Sequence, residues 1–327
     1  MCGQWGEHGI YKDYDPTILK SQLSQETIKR IINEVRDFNP TITLFGGEPM
    51  LYKDWILILK YVKNKGLRCN IVTNGVLLSR YAEEIVKYRL DEIIFSLDGP
   101  KEIHDNIKRV PHTFEKTMEG FMRLKEIKMR DGVKKPFVTI NSTINEFNYY
   151  CLEKLISIAE KIGAYHLNIH HLLFLNNSIC DEHNSYFKNK FGVCSRDWNG
   201  FCLKNLPRID IDLLLKQMKI IRKRKTGVSV SFYPNFTEDE IRAYYSRWRF
   251  KAKSYANRCL SPWMVAYIFP DGSVKPYHTM DYISGNVHKN TFKEIWNNEK
   301  YKKFRREVKR IKKFSICSKA CTELYRY

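Results

Sequence analysis

Thr43-Leu44-Phe45-Gly46-Gly47-Glu48-Pro49-Met50-Leu51 is the stretch whose reading decides the fold. A short apolar run (Ile42, Leu44, Phe45) reads as a buried strand and ends on two glycines, a carboxylate and a proline. The amphipathic run 55–61 follows as a helix. This is strand–loop–helix order, with the loop at the carboxyl end of the strand, where α/β sheets place ligands. Two adjacent glycines let a ligand approach bare backbone N–H and C=O groups. Glu48 adds a fixed charge, and Pro49 stiffens the exit. A Gly-Gly pair alone marks a turn more often than a site, so its weight comes from what surrounds it.

Working outward, the same grammar repeats. Ser24 is a good N-cap, Leu23 can staple to Ile28, and Ile28, Ile31, Ile32, Val35 and Phe38 form one stripe. Strands are expected over 41–45, 68–73, 92–97, 137–143 and 165–173, and helices over 51–65, 79–88, within 112–129 and over 149–162. Five strand–helix repeats without hairpin signals imply parallel strands joined by right-handed crossovers. Each strand ends on polar residues: Glu48, then Thr73 and Asn74, Ser96 and Asp98, Asn141 and Thr143, His170 and His171. Alternation puts Ser96 with Asp98 on one face, and likewise Thr139 with Asn141 and Thr143, and His166 with Asn168 and His170. Polar groups converging on one rim of a parallel barrel form a binding mouth. Any one of them alone is more often a hydrogen-bonded structural residue.

The C-terminal half changes character. Residues 176–255 read as a linker and bridging segment: a loop-rich stretch holding Cys180, Cys194 and Cys202, an apolar helix over 209–221 and a strand over 228–232. From Cys259 short strands are expected over 264–269 and 273–277 around the turn Pro270-Asp271-Gly272, which is hairpin grammar. A helix over 291–311 and a Cys317-x3-Cys321 pair complete the pattern.

Totals bound the function. The chain has 327 residues, 43% hydrophobic and 13% aromatic, enough for a large folded core. No apolar run approaches ~18 residues, so no membrane partner is expected. No secretory leader is visible, and the expected location is cytoplasmic. Nine cysteines, an odd number, suit free thiols or metal ligation better than a disulfide framework. A net charge of +20 favours anionic partners. Much of the excess falls in Lys300–Lys313, where Tyr301, Phe304, Val308 and Ile311 recur at helical spacing, so that run reads as an amphipathic helix with a solvated basic face.

Taken together, these residues resemble the radical S-adenosylmethionine (SAM) enzymes. Gly46-Gly47-Glu48-Pro49, Thr73-Asn74-Gly75 and Ser96-Leu97-Asp98-Gly99-Pro100 look like three successive strand ends of that family. Met1-Cys2-Gly3 looks like the end of its cluster motif, Cys-x3-Cys-x2-Cys. Cys259-Leu260-Ser261-Pro262-Trp263, Pro270-Asp271-Gly272, Gly285-Asn286, Glu294-Ile295-Trp296-Asn297 and Cys317-x3-Cys321 are similar to the auxiliary-cluster extension called SPASM or twitch. The resemblance implies a partial (β/α)6 TIM-like barrel lacking its first strand, over residues 1–175. It implies a linker over 176–255 and an auxiliary-cluster module of β-hairpin and helix over 256–327.

The resemblance also implies the chemistry. Three thiolates hold a [4Fe–4S] cluster whose free iron chelates SAM; reduction cleaves SAM to a 5′-deoxyadenosyl radical that takes hydrogen from a peptide, protein or small-metabolite substrate. Gly46, Gly47, Glu48 and Pro49 would receive the methionine amino group. Thr73, Asn74, Ser96 and Asp98 would line the rim, with Ser96 a ribose contact, and Asn141 and His170 would sit nearer the nucleoside or substrate. A reducing partner such as flavodoxin or ferredoxin is expected. Of the cluster cysteines only Cys2 is present; the other two positions, and the strand that precedes the motif, would fall upstream of Met1. Met1 is therefore expected to be internal, and the chain as it stands to hold the SAM cluster poorly.

In the auxiliary module the position after Pro276, usually cysteine in the family, is Tyr277. Cys259, Cys317 and Cys321 remain, with His278 as the expected fourth ligand of an iron–sulfur cluster or, alternatively, of a tetrahedral zinc. Cys69 and Cys151 read as buried, inert thiols, and Cys180, Cys194 and Cys202 as free ones. The rival reading is a non-catalytic basic α/β protein whose zinc-stabilised C-terminal module binds nucleic acid or another anion. It leaves the polar strand ends unexplained.

Overall fold

The computed structural model describes residues 9, 14, 17, 20–195 and 197–326. The chain divides into two compact units, one of 36–171 with 208–235, the other of 1–35, 172–207 and 236–327.

The first unit is built on a six-stranded parallel sheet in sequential order. Its strands are β1 (Thr41–Leu44), β2 (Arg68–Thr73), β3 (Glu92–Ser96), β4 (Phe137–Thr143), β5 (His166–His170) and β6 (Ser229–Tyr233). One face of the sheet is apolar and fully buried: Ile71, Ile93, Phe95, Val138, Ile140, Leu167 and Ile169. The other face carries the polar residues. Register lines them up, Ser96 opposite Asn141, Asn141 opposite Asn168 and Asn168 opposite Ser231. A second row joins Thr143, His170 and Tyr233. The helices of this unit include Trp55–Asn64, Leu78–Lys87, Thr113–Arg130, Lys154–Ile162 and Ile211–Lys223.

Two elements of this unit differ from the sequence reading. The strand at 229–233, assigned above to the linker, pairs in parallel with β5 as the sixth member of the sheet. Its partner contact is non-local, which a one-dimensional pattern does not carry. An additional helix, Lys101–Lys108, begins directly after Pro100, which takes the N-cap position.

The second unit holds the C-terminal module. The expected hairpin is present as β7 (Tyr267–Ile268) and β8 (Ser273–Lys275), with β9 (Gly285–Asn286) as a third antiparallel strand. Gly272 closes the turn at φ +82°, and a Cβ there would lie 2.5 Å from His288. Helix Gln25–Val35, expected as the opening of the barrel, belongs to this unit. Its Ile31 joins Val274, Val287, Ile295 and Tyr301 in one core, and Phe292 N–H donates to Glu34 at 2.5 Å. The long helix expected over 291–311 is two, Phe292–Asn297 and Glu299–Ile311. Asn298, extended at ψ 166°, ends the first and caps the second by accepting Tyr301 N–H at 2.8 Å.

The stretch read as loop-rich contains a 15-residue helix, Asn177–Phe191, capped by Asn176. Cys180 and Cys202, expected as free thiols, are joined in a disulfide, while Cys194 is free and exposed. Helix Glu238–Ser246 opens with a full capping box between Thr237 and Glu240. Among the described residues no helix is long and apolar enough to cross a membrane.

Candidate functional site

At the carboxyl ends of β1 and β2 the rim is assembled around Glu48. This residue caps the short turn Pro49–Leu51 by accepting Met50 N–H at 3.1 Å. Its carboxylate also accepts the Thr73 hydroxyl, at 3.0 Å to each oxygen, and Asn74 N–H at 3.0 Å. Glu48 therefore ties the loop after β1 to the end of β2, and the twin-glycine bend hangs from that tie. Gly46 and Gly47 are exposed. A Cβ on Gly46 would meet no heavy atom within 4 Å, and its φ is not in the left-handed region. Neither space nor backbone conformation inside the protein asks for glycine there, which is what a backbone kept bare for a ligand looks like.

The neighbouring strand end is structural. Asn74 accepts Val76 N–H at 2.9 Å through its side chain. Gly75 sits at φ +81°, and a Cβ there would stand 2.6 Å from Thr117. At the next strand end the Asp98 carboxylate is taken up by Lys108 at 3.1 Å and by Thr143 N–H at 3.2 Å, so it braces the end of β4. Ser96 stays half-buried beside Asn141. The Asn141 Oδ1 is buried without a hydrogen-bond partner, an acceptor left open on the inner face. His170 and Asn168 share a hydrogen bond of 2.8 Å between Nε2 and Nδ2, and the Tyr233 ring lies 5.3 Å from His170. His171 is fully buried, where desolvation pushes its pKa down to about 3, and it serves the core.

The sequence reading missed members of this face. Ser231 donates to Asn168 Oδ1 at 3.1 Å and meets His166 Nε2 at 2.8 Å. Glu92 accepts from Asn70 at 2.9 Å and Thr139 at 2.6 Å. The period-two pattern of β6 (Ser229, Ser231, Tyr233) was the available signal.

In the second unit, Cys259, Cys317 and Cys321 line one cavity together with Ser261, Tyr277, Phe304, Val308 and Glu323. Burial pushes the Cys259 thiol up to about 12. The hydrogen bond to Cys321, and burial after it, raise Cys317 as well. Burial also acts to raise Cys321, but its hydrogen bonds to Cys317 and Glu323 N–H outweigh that and hold it below the ordinary thiol value. Thiols in this state bind metal with release of protons. No three His, Cys, Asp or Glu side chains among the described residues stand close enough to enclose a single metal ion. Three cysteines lining one cavity match the donor set of an iron–sulfur cluster with one further ligand.

His278, the expected fourth ligand, is not among the residues lining this cavity. Its ring packs 4.4 Å from Tyr277 and 5.2 Å from Tyr267, and burial lowers its pKa to about 4. Both residues lie past the end of β8 at Lys275, and Tyr277 is the one that lines the cavity. Cys2 lies outside the described residues. Cys69 and Cys151 are buried, as expected.

A parallel α/β sheet with a polar mouth, joined in one chain to a module with a thiol-lined cavity, defines a class of cofactor-dependent enzymes. The radical SAM superfamily model matches residues 2–156, and the SPASM model, an iron–sulfur cluster-binding domain, matches residues 259–322. Residues 2–156 are thus a radical SAM domain and residues 259–322 a SPASM domain. The family's cofactors come with them: a [4Fe–4S] cluster, SAM and auxiliary iron–sulfur.

Among its relatives is the AdoMet-dependent heme synthase of Nitratidesulfovibrio vulgaris, 26% identical over 311 residues, which are 90% of this chain and 76% of that one. Among solved structures, Streptococcus suis SuiB bound to S-adenosylmethionine superposes with a TM-score of 0.59 at 13% identity, covering 86% of this chain and 60% of SuiB. Native anSMEcpe with bound AdoMet and the Cp18Cys peptide superposes with a TM-score of 0.56 at 18% identity, covering 98% of this chain and 84% of that one. Both likenesses concern the fold.

Proposed function

We infer that the protein binds SAM over the Gly46–Gly47 bend and uses it to remove hydrogen from a substrate held over the polar inner face of the sheet. The observation that carries this is the bend itself, open at Gly46 and pinned through Glu48 to Thr73 and Asn74. When bound, the [4Fe–4S] cluster supplies the low-potential electron that cleaves SAM to methionine and a 5′-deoxyadenosyl radical.

The chain's own residues do the positioning. Gly46 and Gly47 offer backbone to the methionine amino group, with Glu48 and Pro49 holding the bend. Ser96 contacts the ribose. The open Asn141 acceptor and the Asn168–His170 pair meet the nucleoside or the substrate. Thr73 and Asp98 act as braces, since their polar atoms are already engaged, while Asn74, whose Oδ1 holds Val76 N–H, turns its exposed side-chain amide to the rim. Cys2 is one thiolate of the SAM cluster, and Cys259, Cys317 and Cys321 hold the auxiliary one.

A heme-type small molecule is the favoured substrate class, because a heme synthase aligns with nine-tenths of this chain. A peptide is the second reading, supported by the peptide-bound anSMEcpe likeness. A flavodoxin- or ferredoxin-type protein would deliver the electron in the cytoplasm, making the protein an oxidoreductase. The test is mass spectrometry of 5′-deoxyadenosine formed by the reduced native gene product with deuterated porphyrin or deuterated peptide. Deuterium transfer from either substrate identifies the class; 5′-deoxyadenosine that never carries deuterium from either counts against hydrogen removal from both.

A further inference from the structure

The three cysteines of the C-terminal cavity leave one coordination position of a four-iron cluster to be filled, and the structure supplies a carboxylate for it. Glu323 lines the same cavity as Cys259, Cys317 and Cys321 and is only 3% exposed. Its two oxygens are in different states. Oε1 is anchored by Arg326 at 3.0 Å and, more loosely, by the Tyr267 hydroxyl at 3.5 Å. Oε2 is buried with no hydrogen-bond partner. An acceptor in that condition bears its full desolvation cost, more when charged, and a buried native group of this kind calls for a ligand or ion. One oxygen held by a neighbouring side chain and the other left free is how metal-ligating carboxylates are arranged.

The competing donors fit less well. Tyr277 occupies the position where the family usually has cysteine, but its phenol oxygen already meets the Thr322 hydroxyl at 3.2 Å and accepts Thr322 N–H at 3.2 Å. Those bonds fasten the turn that follows Cys321, so Tyr277 positions Glu323 rather than replacing it. Ser261 lines the cavity with an unpartnered hydroxyl, a neutral and weaker donor than a carboxylate. His278 does not line it. Non-thiolate ligation of an iron–sulfur cluster has a chemical precedent in imidazole, and carboxylates are established iron ligands.

We propose that Glu323 is the fourth ligand of the auxiliary cluster, holding one iron through Oε2 beside the thiolates of Cys259, Cys317 and Cys321. This rests on the reading that an iron–sulfur cluster fills the cavity. The test uses the reconstituted native gene product in a Cys2→Ser background, so that iron, sulfide and the electron paramagnetic resonance spectrum report the auxiliary centre alone. The parent should hold about four irons per chain through mild oxidation, as a fully ligated [4Fe–4S] centre does. Glu323→Ala should drop to about three irons and gain a three-iron spectrum, while Glu323→Cys should restore about four. Tyr277→Phe and Ser261→Ala should keep their iron.

Glu323→Ala that keeps its iron and spectrum overturns the assignment. So does Glu323→Cys that fails to restore the fourth iron, or loss of one iron from Ser261→Ala or Tyr277→Phe instead. A parent that takes up neither iron nor sulfide overturns the cluster reading itself, and is distinguishable from failure of the ligand assignment alone.

Discussion

Gly46→Ala separates a binding role from a folding role at the twin-glycine bend. The added Cβ would meet nothing within 4 Å, and the backbone there is not left-handed. Folding should therefore tolerate alanine, and the reduced freedom of the unfolded chain should stabilise the protein by ~0.4–1 kcal/mol. In a chain of this size that is an upward shift in Tm of about 0.6–1.5 °C. Binding should move the other way. If SAM's amino group approaches the bare backbone at this bend, a methyl group in its path costs at least ~1.4 kcal/mol, which is a tenfold rise in Kd. The assays are thermal unfolding of the ligand-free protein and equilibrium dialysis of SAM against the anaerobically reconstituted one. A variant that is as stable as predicted but binds SAM within about twofold of the parent, a difference of ~0.4 kcal/mol, would refute the reasoning.

Other perturbations follow from the same contacts. Gly75→Ala, at φ +81° with Thr117 only 2.6 Å from the new Cβ, should destabilise by at least ~1 kcal/mol, read as a fall in Tm. Glu48→Ala removes the acceptor of Met50 N–H, Thr73 and Asn74 N–H. At ~0.5–1.5 kcal/mol for each of the three donors it should cost about 1.5–4.5 kcal/mol, and it should weaken SAM binding as well, whereas Gly46→Ala weakens binding without a loss of stability. Glu240 bears on acid stability. Desolvation acts to raise its pKa, but hydrogen bonds from Thr237, Ser254 and Lys253 prevail and bring it from the ordinary 4.5 down to about 2. Its stabilisation is present above the ordinary value and is lost as pH falls from 4.5 through about 2. Glu240→Gln should flatten that acid limb in a pH series of melting curves; an unchanged slope would sink the assignment.

The strand–helix alternation was legible because each buried strand of the sheet is a short apolar run bounded by turn residues. The hairpin around Gly272 was legible because a tight turn needs positive φ. Capped helices hidden in polar composition were harder. Asn177–Phe191 and Glu238–Ser246 carry good caps, Asn176 and Thr237, but their apolar stripes are diluted by charged and polar residues. The place of β6 in the sheet, and of helix Gln25–Val35 in the C-terminal core, depended on contacts far apart in sequence. Residue types alone also suggested His278 as a ligand. The turn after β8 settled the matter, placing Tyr277 and not His278 on the cavity, and Glu323 could be found only once its cavity and its orphaned oxygen were seen.

Release of 5′-deoxyadenosine tests the central claim most directly. The native gene product, reconstituted anaerobically with iron and sulfide and reduced with dithionite, should turn SAM into 5′-deoxyadenosine and methionine, and Gly46→Ala should slow that conversion. Protein that carries its full complement of iron and sulfide, yet leaves SAM intact after reduction, would contradict the account.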